Sequence, residues 1–140
     1  MTKTARVPIN VDVTPMLRNG NSIFCEIDPT PGTPRRFVKG GFIKLPRGGQ
    51  YEIIFHLMAG DVGPLQFDTE DPFCSDSSTC PALGAQNGQY SNPRVTSSNP
   101  LGVDDTLSVD AAPAPPKNAV HYRLNFNGGA YCDPIIINDV

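Results

Sequence analysis

The stretch VHYRLNFNGGAYCDPIII, residues 120–137, decides how the C-terminal part of the chain folds. Two apolar runs flank residues 127–129 (Asn-Gly-Gly), and a short connection with glycine between such runs is typical of a β-hairpin. We therefore predict that the last two strands pair antiparallel, and that Pro134 opens a short terminal strand at a sheet edge or inserted into a sheet. This register places Asp133 opposite Arg123 or close to it.

The remaining sequence also indicates strands. The chain has 15 prolines and 13 glycines in 140 residues, which leaves little room for long helices, and no segment keeps helical apolar spacing. ARVPINVDV (residues 5–13) alternates apolar and polar residues, with Pro8 favouring a sheet edge. QYEIIFHLM (residues 50–58) is the most apolar run and the candidate central strand. We expect one all-β domain over residues 1–140, a β-sandwich of about seven or eight short antiparallel strands.

Residues 68–117 form a long, irregular, loop-rich segment on this interpretation. Only DTLSVD (residues 105–110) resembles a strand there. About fifty residues without regular structure exceed the usual loop length, and such segments are functional, internally packed or disordered. A ligand site in this segment would make the protein a binding module.

Charge and hydropathy narrow the choice of partners and location. The formal net charge is −3, and no run of Lys and Arg is longer than two residues. The sequence therefore predicts no nucleic-acid partner and no membrane partner. No window approaches the ~18 apolar residues of a membrane span, and the N-terminal MTKTARVPINVDV lacks the apolar region of a secretion signal. The default expectation is a cytoplasmic protein, with export by a route without such a signal left open.

The four cysteines are Cys25, Cys74, Cys80 and Cys132. Their spacing does not match the pattern of a zinc or redox motif, so we predict no metal and no cofactor. A disulfide between Cys74 and Cys80 could close a loop in an oxidising environment. Cys25 and Cys132 lie in apolar runs, where a cysteine is expected to act as an unpaired, small hydrophobic residue.

Three Asp-Pro peptide bonds stand out, at residues 28–29, 71–72 and 133–134. An aspartate carboxyl group can attack its own carbonyl carbon to close a five-membered anhydride, and the proline nitrogen is a good leaving group once it is protonated. Enforced proximity can lower such a barrier by up to ~7–11 kcal/mol. Asp-Pro is also ordinary turn chemistry, and the first two bonds are expected to lie in turns. The third interrupts an apolar strand, where proline removes a ladder donor.

The C-terminal block, with its Asp-Pro pair just before a short last strand, resembles the DP-EP family of small bacterial β-sandwich proteins, a name read as Asp-Pro endopeptidase. The resemblance implies self-cleavage between Asp133 and Pro134, with the C-terminal piece remaining packed in the sandwich. It also implies a lysine that becomes joined to the freed aspartate, and an aspartate that acts on water. Lys117, the only lysine in the C-terminal half, takes the lysine position, although this hairpin register places it several residues from Asp133.

Further residues are candidates for assisting roles. Asp61 follows the apolar strand on a Gly-rich turn and is the candidate acid, with Asp68 and Asp71 as alternatives. Tyr51 could donate a hydrogen bond to a developing oxyanion, and Arg123 could hold the Asp133 carboxylate. Each has an ordinary interpretation as well, a solvated turn residue for Asp61 and a strand aromatic for Tyr51.

Two functions remain open at this point. The first is a self-cleaving, aspartic-type endopeptidase that hydrolyses its own Asp133–Pro134 bond, keeps the cleaved strand docked and is linked to self-assembly by strand exchange between copies. The second is a structural, assembly or binding β-sandwich module that performs no catalysis and keeps this bond intact.

Overall fold

The computed structural model describes residues 6–17, 23–39, 42–46, 48–58, 60, 65–75, 90–97, 105–112, 119–127 and 130–139. Ten strands lie in these ranges: β1 (Val7–Leu17), β2 (Ile23–Pro29), β3 (Val38–Lys39), β4 (Phe42–Leu45), β5 (Tyr51–Leu57), β6 (Phe73–Ser75), β7 (Tyr90–Thr96), β8 (Thr106–Ala111), β9 (Ala119–Asn125) and β10 (Tyr131–Asp139). The prediction of an all-β fold is confirmed. Within the described ranges, no helix has the length and apolarity needed to cross a membrane.

Apolar alternation explains the strands at the centre of the fold. In β1 the residues Ile9, Val11, Val13 and Pro15 are buried, and the residues between them are more exposed. β5 repeats the pattern with Ile53 and Phe55 fully buried. Because successive side chains point to opposite faces of a sheet, each strand covers the core with one face. The predicted central position of β5 is confirmed, since it lies between β1 and β8.

The described strands join into one mixed sheet in the order β3-β4-β10-β2-β1-β5-β8-β7, with β9 paired to β10 and β6 paired to β9. The prediction that all strands are antiparallel is wrong, because β1 runs parallel to β5, and β10 runs parallel to both β2 and β4. Parallel neighbours require crossover connections between distant segments, which local hairpin signals do not reveal. Two separate sandwich sheets are therefore not confirmed.

The sheet curls so that its two halves share a core. Phe55 on β5 lies 5.6 Å from Tyr122 on β9 and 6.3 Å from Phe73 on β6, measured between ring centroids. Phe73 and Tyr122 stack at 5.5 Å. Offset aromatic contacts of this kind add to the stabilisation that burial alone gives. These three rings therefore pack β6 and β9 against β5.

The expectation that Pro8 marks a sheet edge is wrong, because β1 lies between β2 and β5. The Val7 N–H donates to the Gln50 carbonyl at 2.9 Å, on the β5 side. N–H groups alternate between the two neighbours of a strand, so the donor that Pro8 lacks would face β2. The ladder with β2 begins only at Val11. The proline thus occupies a position where no partner strand needs its donor.

The segment 68–117 contains more regular structure than predicted. β8 coincides with the strand expected from DTLSVD, which is confirmed, and β6 and β7 also lie in this segment. β7 escaped prediction because Pro93 interrupts its apolar pattern, and a register shift between Ser91 and Arg94 accommodates the irregularity.

Candidate functional site

The Asp133–Pro134 peptide bond lies in a β-bulge. On one side of it Cys132 pairs with Leu124, and on the other Ile135 pairs with Tyr122. Two residues of β10, Asp133 and Pro134, therefore face the single residue Arg123 of β9. The predicted antiparallel hairpin and the position of Arg123 opposite Asp133 are both confirmed by this register. Bulges interrupt the hydrogen-bond ladder, bend the strand locally and are over-represented beside active sites.

β10 is an interior strand. The prediction of an edge position is therefore wrong, and the alternative prediction of a strand inserted into the sheet is confirmed. Beyond the bulge its backbone pairs with β9 from Ile135 to Asn138 on one side. On the other side it pairs with β4, from Ile137 to Asp139. The segment that follows the Asp133–Pro134 bond is thus held from both sides.

A disulfide joins Cys132 to Cys25, so the prediction that these two cysteines are unpaired is wrong. Their Cα atoms lie 5.9 Å apart, a normal separation for a disulfide. Both side chains are buried, and the bond links residues separated by 107 positions. Cys132 also forms the one described backbone pairing between β10 and β2, with Ile23. The chain is therefore fixed directly before Asp133. Cys80 lies outside the described residues, so the possible Cys74–Cys80 bond stays a prediction.

Arg123 is held in a defined position on β9. Its guanidinium carbon lies 4.2 Å from the centroid of the Tyr131 ring, a distance at which a cation is attracted to the ring face. Its Nε–H donates to the Asn125 side-chain oxygen at 2.9 Å. The two terminal nitrogens carry the remaining donors of the guanidinium group, which suit a carboxylate or an oxyanion.

The two alternative acids, Asp68 and Asp71, belong to a turn beside β9. The Asp68 N–H donates to the Asn125 carbonyl at 3.0 Å, and the Asn125 side-chain amide donates to the Asp71 carbonyl at 2.7 Å. The Asp68 carboxylate accepts the N–H groups of Glu70 at 2.8 Å and Asp71 at 3.3 Å. Asn125 pairs with Tyr131, two residues before Asp133. The structure thus brings this turn to the same end of β10 as the Asp-Pro bond.

Tyr51 lies at the other end of β10. Its hydroxyl donates to the Pro46 carbonyl at 3.2 Å, and Leu45, the residue before Pro46, pairs with Asp139. Asp139 is six residues from Asp133, or about 20 Å along a strand. Burial raises the pKa of the Tyr51 hydroxyl, against the opposing effect of the positive charge on Arg36. The oxyanion role of Tyr51 stays a prediction, and the register of β10 gives it no support.

Asp61 and Lys117 both lie outside the described residues. Gly60 is described, and a side chain there would collide with the carbonyl of Pro15. Pro15 pairs with Cys25, the disulfide partner of Cys132. The roles of Asp61 and Lys117 remain predictions.

The other two Asp-Pro bonds have different surroundings. The expectation of a turn at Asp28–Pro29 is wrong, because these residues end β2 in regular register with Asp12 and Val11 of β1. The Asp71–Pro72 bond ends the turn described above, and the Pro72 carbonyl accepts the Asn125 N–H at 2.9 Å. Two of the described strands, β2 and β10, contain an Asp-Pro bond. Only in β10 does this bond, at residues 133–134, coincide with a register shift.

A second polar cluster lies far from β10, on β5, β7 and β8. Arg94 contacts Glu52 and also Asp110, the latter at 3.2 Å, while Arg6 lies 3.7 Å from Asp110. Burial alone would raise the pKa of Asp110, but hydrogen bonds from Asn92 and Arg94 and the charges of Arg94 and Arg6 outweigh it and lower this pKa. These charges compensate one another, which indicates a stabilising role.

Sequence reasoning missed Asn125, Tyr131 and Tyr122. Asn125 and Tyr131 lie on either side of the predicted Asn-Gly-Gly turn, and a hairpin register pairs them. Neither residue was a candidate for the site. Tyr122 is buried beside Phe55 and Phe73, and its hydroxyl has no hydrogen-bond partner within the described part of the chain. Burial raises its pKa well above the ordinary value. Comparison with models of known protein families finds no match for the chain, and comparison with curated proteins finds none either.

Proposed function

We propose that the chain cleaves its own Asp133–Pro134 peptide bond and keeps the C-terminal strand docked afterwards. The observation that carries the proposal is the bulge, which takes this one peptide out of the regular ladder opposite Arg123. A peptide bond in a regular ladder has its carbonyl and its neighbours fixed by pairing, which restricts the rotations that the reaction requires. The resemblance to the DP-EP family suggests the same bond.

The proposed reaction has two steps. The Asp133 carboxylate attacks its own carbonyl carbon, and a cyclic anhydride forms as the bond to the Pro134 nitrogen breaks. A neighbouring carboxylic acid donates a proton to that nitrogen, so proline leaves as an amine. Water then opens the anhydride and restores the proton, leaving Asp133 with two carboxyl groups. The net change is hydrolysis of one peptide bond, without a cofactor.

The residues around the bulge suit these steps. The positive charge of Arg123 can stabilise the oxyanion that develops on the Asp133 carbonyl. The turn that carries Asp68 and Asp71 supplies carboxyl groups at the same end of β10, and the Asp68 carboxylate is oriented by two backbone N–H groups. Asp61 remains a third candidate from the sequence.

Retention of the cleaved strand follows from the pairing on each side of it. Backbone ladders with β9 and β4 hold residues 135–139, and the disulfide at Cys132 holds the new end at Asp133. Cleavage would therefore leave a nicked protein that is folded. The two pieces separate only when the fold is lost.

The three Asp-Pro bonds provide an internal control for the test. The purified chain is incubated at neutral pH either folded or unfolded in urea, and peptide mapping gives the cleavage rate at each bond. The proposal predicts rapid cleavage only at residues 133–134 and only in the folded chain, with Asp28–Pro29 intact. Equal, slow cleavage at all three bonds in both states would mean that the fold contributes nothing.

Peptide mapping also reveals the fate of the anhydride. If the Lys117 amine opens it in place of water, an amide joins Lys117 to Asp133 and the 1–133 fragment is lighter by one water. A hydrolysed anhydride gives the full mass. Lys117→Arg distinguishes the two, because it removes the amine nucleophile and keeps the charge.

A second candidate function is a non-catalytic structural or assembly module. One observation favours it, since a bulge is also an ordinary way to seat a proline inside a sheet. In that case the bond at residues 133–134 stays intact, and the ladder positions that hold residues 135–139 could accept the same strand from another copy. Intact mass after incubation separates the two candidates.

The disulfide bears on location. Disulfides persist in oxidising compartments and are rare in the cytoplasm. The Cys25–Cys132 bond therefore favours an oxidising compartment over the cytoplasm expected from the sequence. Comparing the redox state of the two cysteines in cytoplasmic and exported forms of the protein tests this part of the proposal.

A further inference from the structure

Asn125 is one of two buried polar side chains in the described part of the chain, with 7% of its surface exposed. Each of its four polar groups has a partner. Its backbone N–H and carbonyl bond to Pro72 and Asp68, and its side chain bonds to Asp71 and Arg123. A buried amide with every group satisfied has a single favourable orientation.

The side-chain oxygen of Asn125 orients Arg123. It accepts the Arg123 Nε–H at 2.9 Å, while the Tyr131 ring covers the guanidinium group at 4.2 Å. Because the guanidinium group is planar, fixing its Nε–H and one face sets the direction of its terminal N–H groups. These terminal N–H groups are those of Arg123, the residue opposite the Asp133–Pro134 bulge.

The side-chain nitrogen of Asn125 fixes the acidic turn. It donates to the Asp71 carbonyl at 2.7 Å, and this contact ties residues 68–72 to β9 together with the two backbone hydrogen bonds of Asn125. One side chain therefore connects the cation and the carboxyl groups that the proposed reaction needs.

We propose that Asn125 is a positioning residue for cleavage of the Asp133–Pro134 bond. It touches no reacting atom and acts by orienting Arg123 through its oxygen and the acidic turn through its nitrogen. This inference rests on the proposed self-cleavage.

The test is a mutant cycle on the cleavage rate of the full chain. Asn125→Ala removes both side-chain contacts and is expected to slow cleavage at residues 133–134 about ten- to a hundredfold, the scale of a small misplacement of reacting groups. Asn125→Asp keeps the acceptor for Arg123 and loses the donor to Asp71, so its rate should be intermediate. Thr106→Val, at the other buried polar residue, should leave the rate unchanged.

The combination with Arg123→Gln separates positioning from general stability. Because part of the effect of Asn125 passes through Arg123, the double variant with Asn125→Ala should cleave faster than the product of the two single rate losses predicts. A structural role would instead multiply the two rate losses. NMR exchange of the Arg123 Nε–H provides a readout without cleavage and should accelerate in Asn125→Ala but not in Asn125→Asp.

The outcomes distinguish the two levels of the account. A wild-type chain that cleaves, with Asn125→Ala cleaving equally fast or with multiplicative losses, overturns the positioning role alone. A wild-type chain that stays intact overturns self-cleavage and this inference together. If Asn125→Ala does not fold, Asn125→Asp decides, and either an unchanged cleavage rate or an accelerated Nε–H exchange in that variant contradicts the inference.

Discussion

Cys132, bonded to Cys25 of the neighbouring strand, is the last residue of β10 in regular register before the Asp133–Pro134 bulge. The covalent bond fixes the chain on the N-terminal side of the bulge, and pairing with β9 resumes at Ile135 on the other side. The irregular Asp133–Pro134 peptide bond therefore lies between two anchored residues, Cys132 and Ile135. A break in the chain at this bulge would leave β10 anchored on both sides of it.

The disulfide should contribute strongly to stability. Cross-linking residues 107 positions apart lowers the conformational entropy of the unfolded chain, which raises the free energy of unfolding by about 3 to 5 kcal/mol. The double variant Cys25→Ala/Cys132→Ala should lower the free energy of unfolding by this amount in urea titrations. A reductant should lower it in the wild type and leave the double variant unaffected. A double variant as stable as the oxidised wild type would contradict a stabilising Cys25–Cys132 disulfide.

Replacing Tyr51 by phenylalanine should leave cleavage unchanged. The Tyr51 hydroxyl bonds to Pro46 near Asp139, far along β10 from Asp133. Losing that hydrogen bond should cost about 1 kcal/mol of unfolding free energy. The rate at residues 133–134 should stay within about twofold of the wild type while the chain is folded. A large loss of cleavage rate in a folded Tyr51→Phe variant would show that this hydroxyl group takes part in cleavage.

Tyr122→Phe should stabilise the protein. The variant removes a buried hydroxyl group without a described partner, and such a group costs about 1–3 kcal/mol. Because burial raises the pKa of this hydroxyl, it ionises more readily in the unfolded chain, so the wild type loses further stability as pH rises above about 10. Urea titrations should place the variant at least 1 kcal/mol above the wild type, with a wider gap in alkali. A less stable variant would reveal a partner for the hydroxyl group.

Asp110→Asn should destabilise the protein in a pH-dependent manner. The lowered pKa of Asp110 means that its ionised form is favoured in the folded state. Its contribution, about 1 kcal/mol for a partly exposed ion-pair cluster, is therefore complete above the unfolded pKa near 4 and is lost as pH falls through the lower folded pKa. Unfolding free energies measured from pH 7 to pH 2 should show the gap between wild type and variant closing in acid. A gap that persists at pH 2 would assign the effect to packing.

The sequence allowed prediction of the parts of the fold that depend on local patterns. Alternation in residues 7–13 and 51–57 predicted β1 and β5, and the Asn-Gly-Gly turn predicted the last hairpin with Asp133 opposite Arg123. Each of these signals is contained within about twenty consecutive residues, so no tertiary information is required. The bulge itself was not predicted, although the sequence indicates that Pro134 interrupts an apolar strand and removes a ladder donor.

The missed features depend on contacts between distant segments. The Cys25–Cys132 bond joins residues that share no motif, and the parallel pairing of β1 with β5 follows from the complete strand order. Asn125 became significant only when the 68–72 turn was found against β9. Tyr51 was placed near the reaction by its residue type, and register moved it to the opposite end of β10.

The central claim is tested most directly by the intact mass of freshly purified, unheated protein at neutral pH, measured under denaturing conditions beside an Asp133→Ala control. The account predicts two wild-type species, residues 1–133 and 134–140, with the first at full mass or lighter by one water, and a single full-length species for the variant. A single full-length mass for the wild type after prolonged incubation would contradict self-cleavage and leave the protein as a non-catalytic β-sheet module.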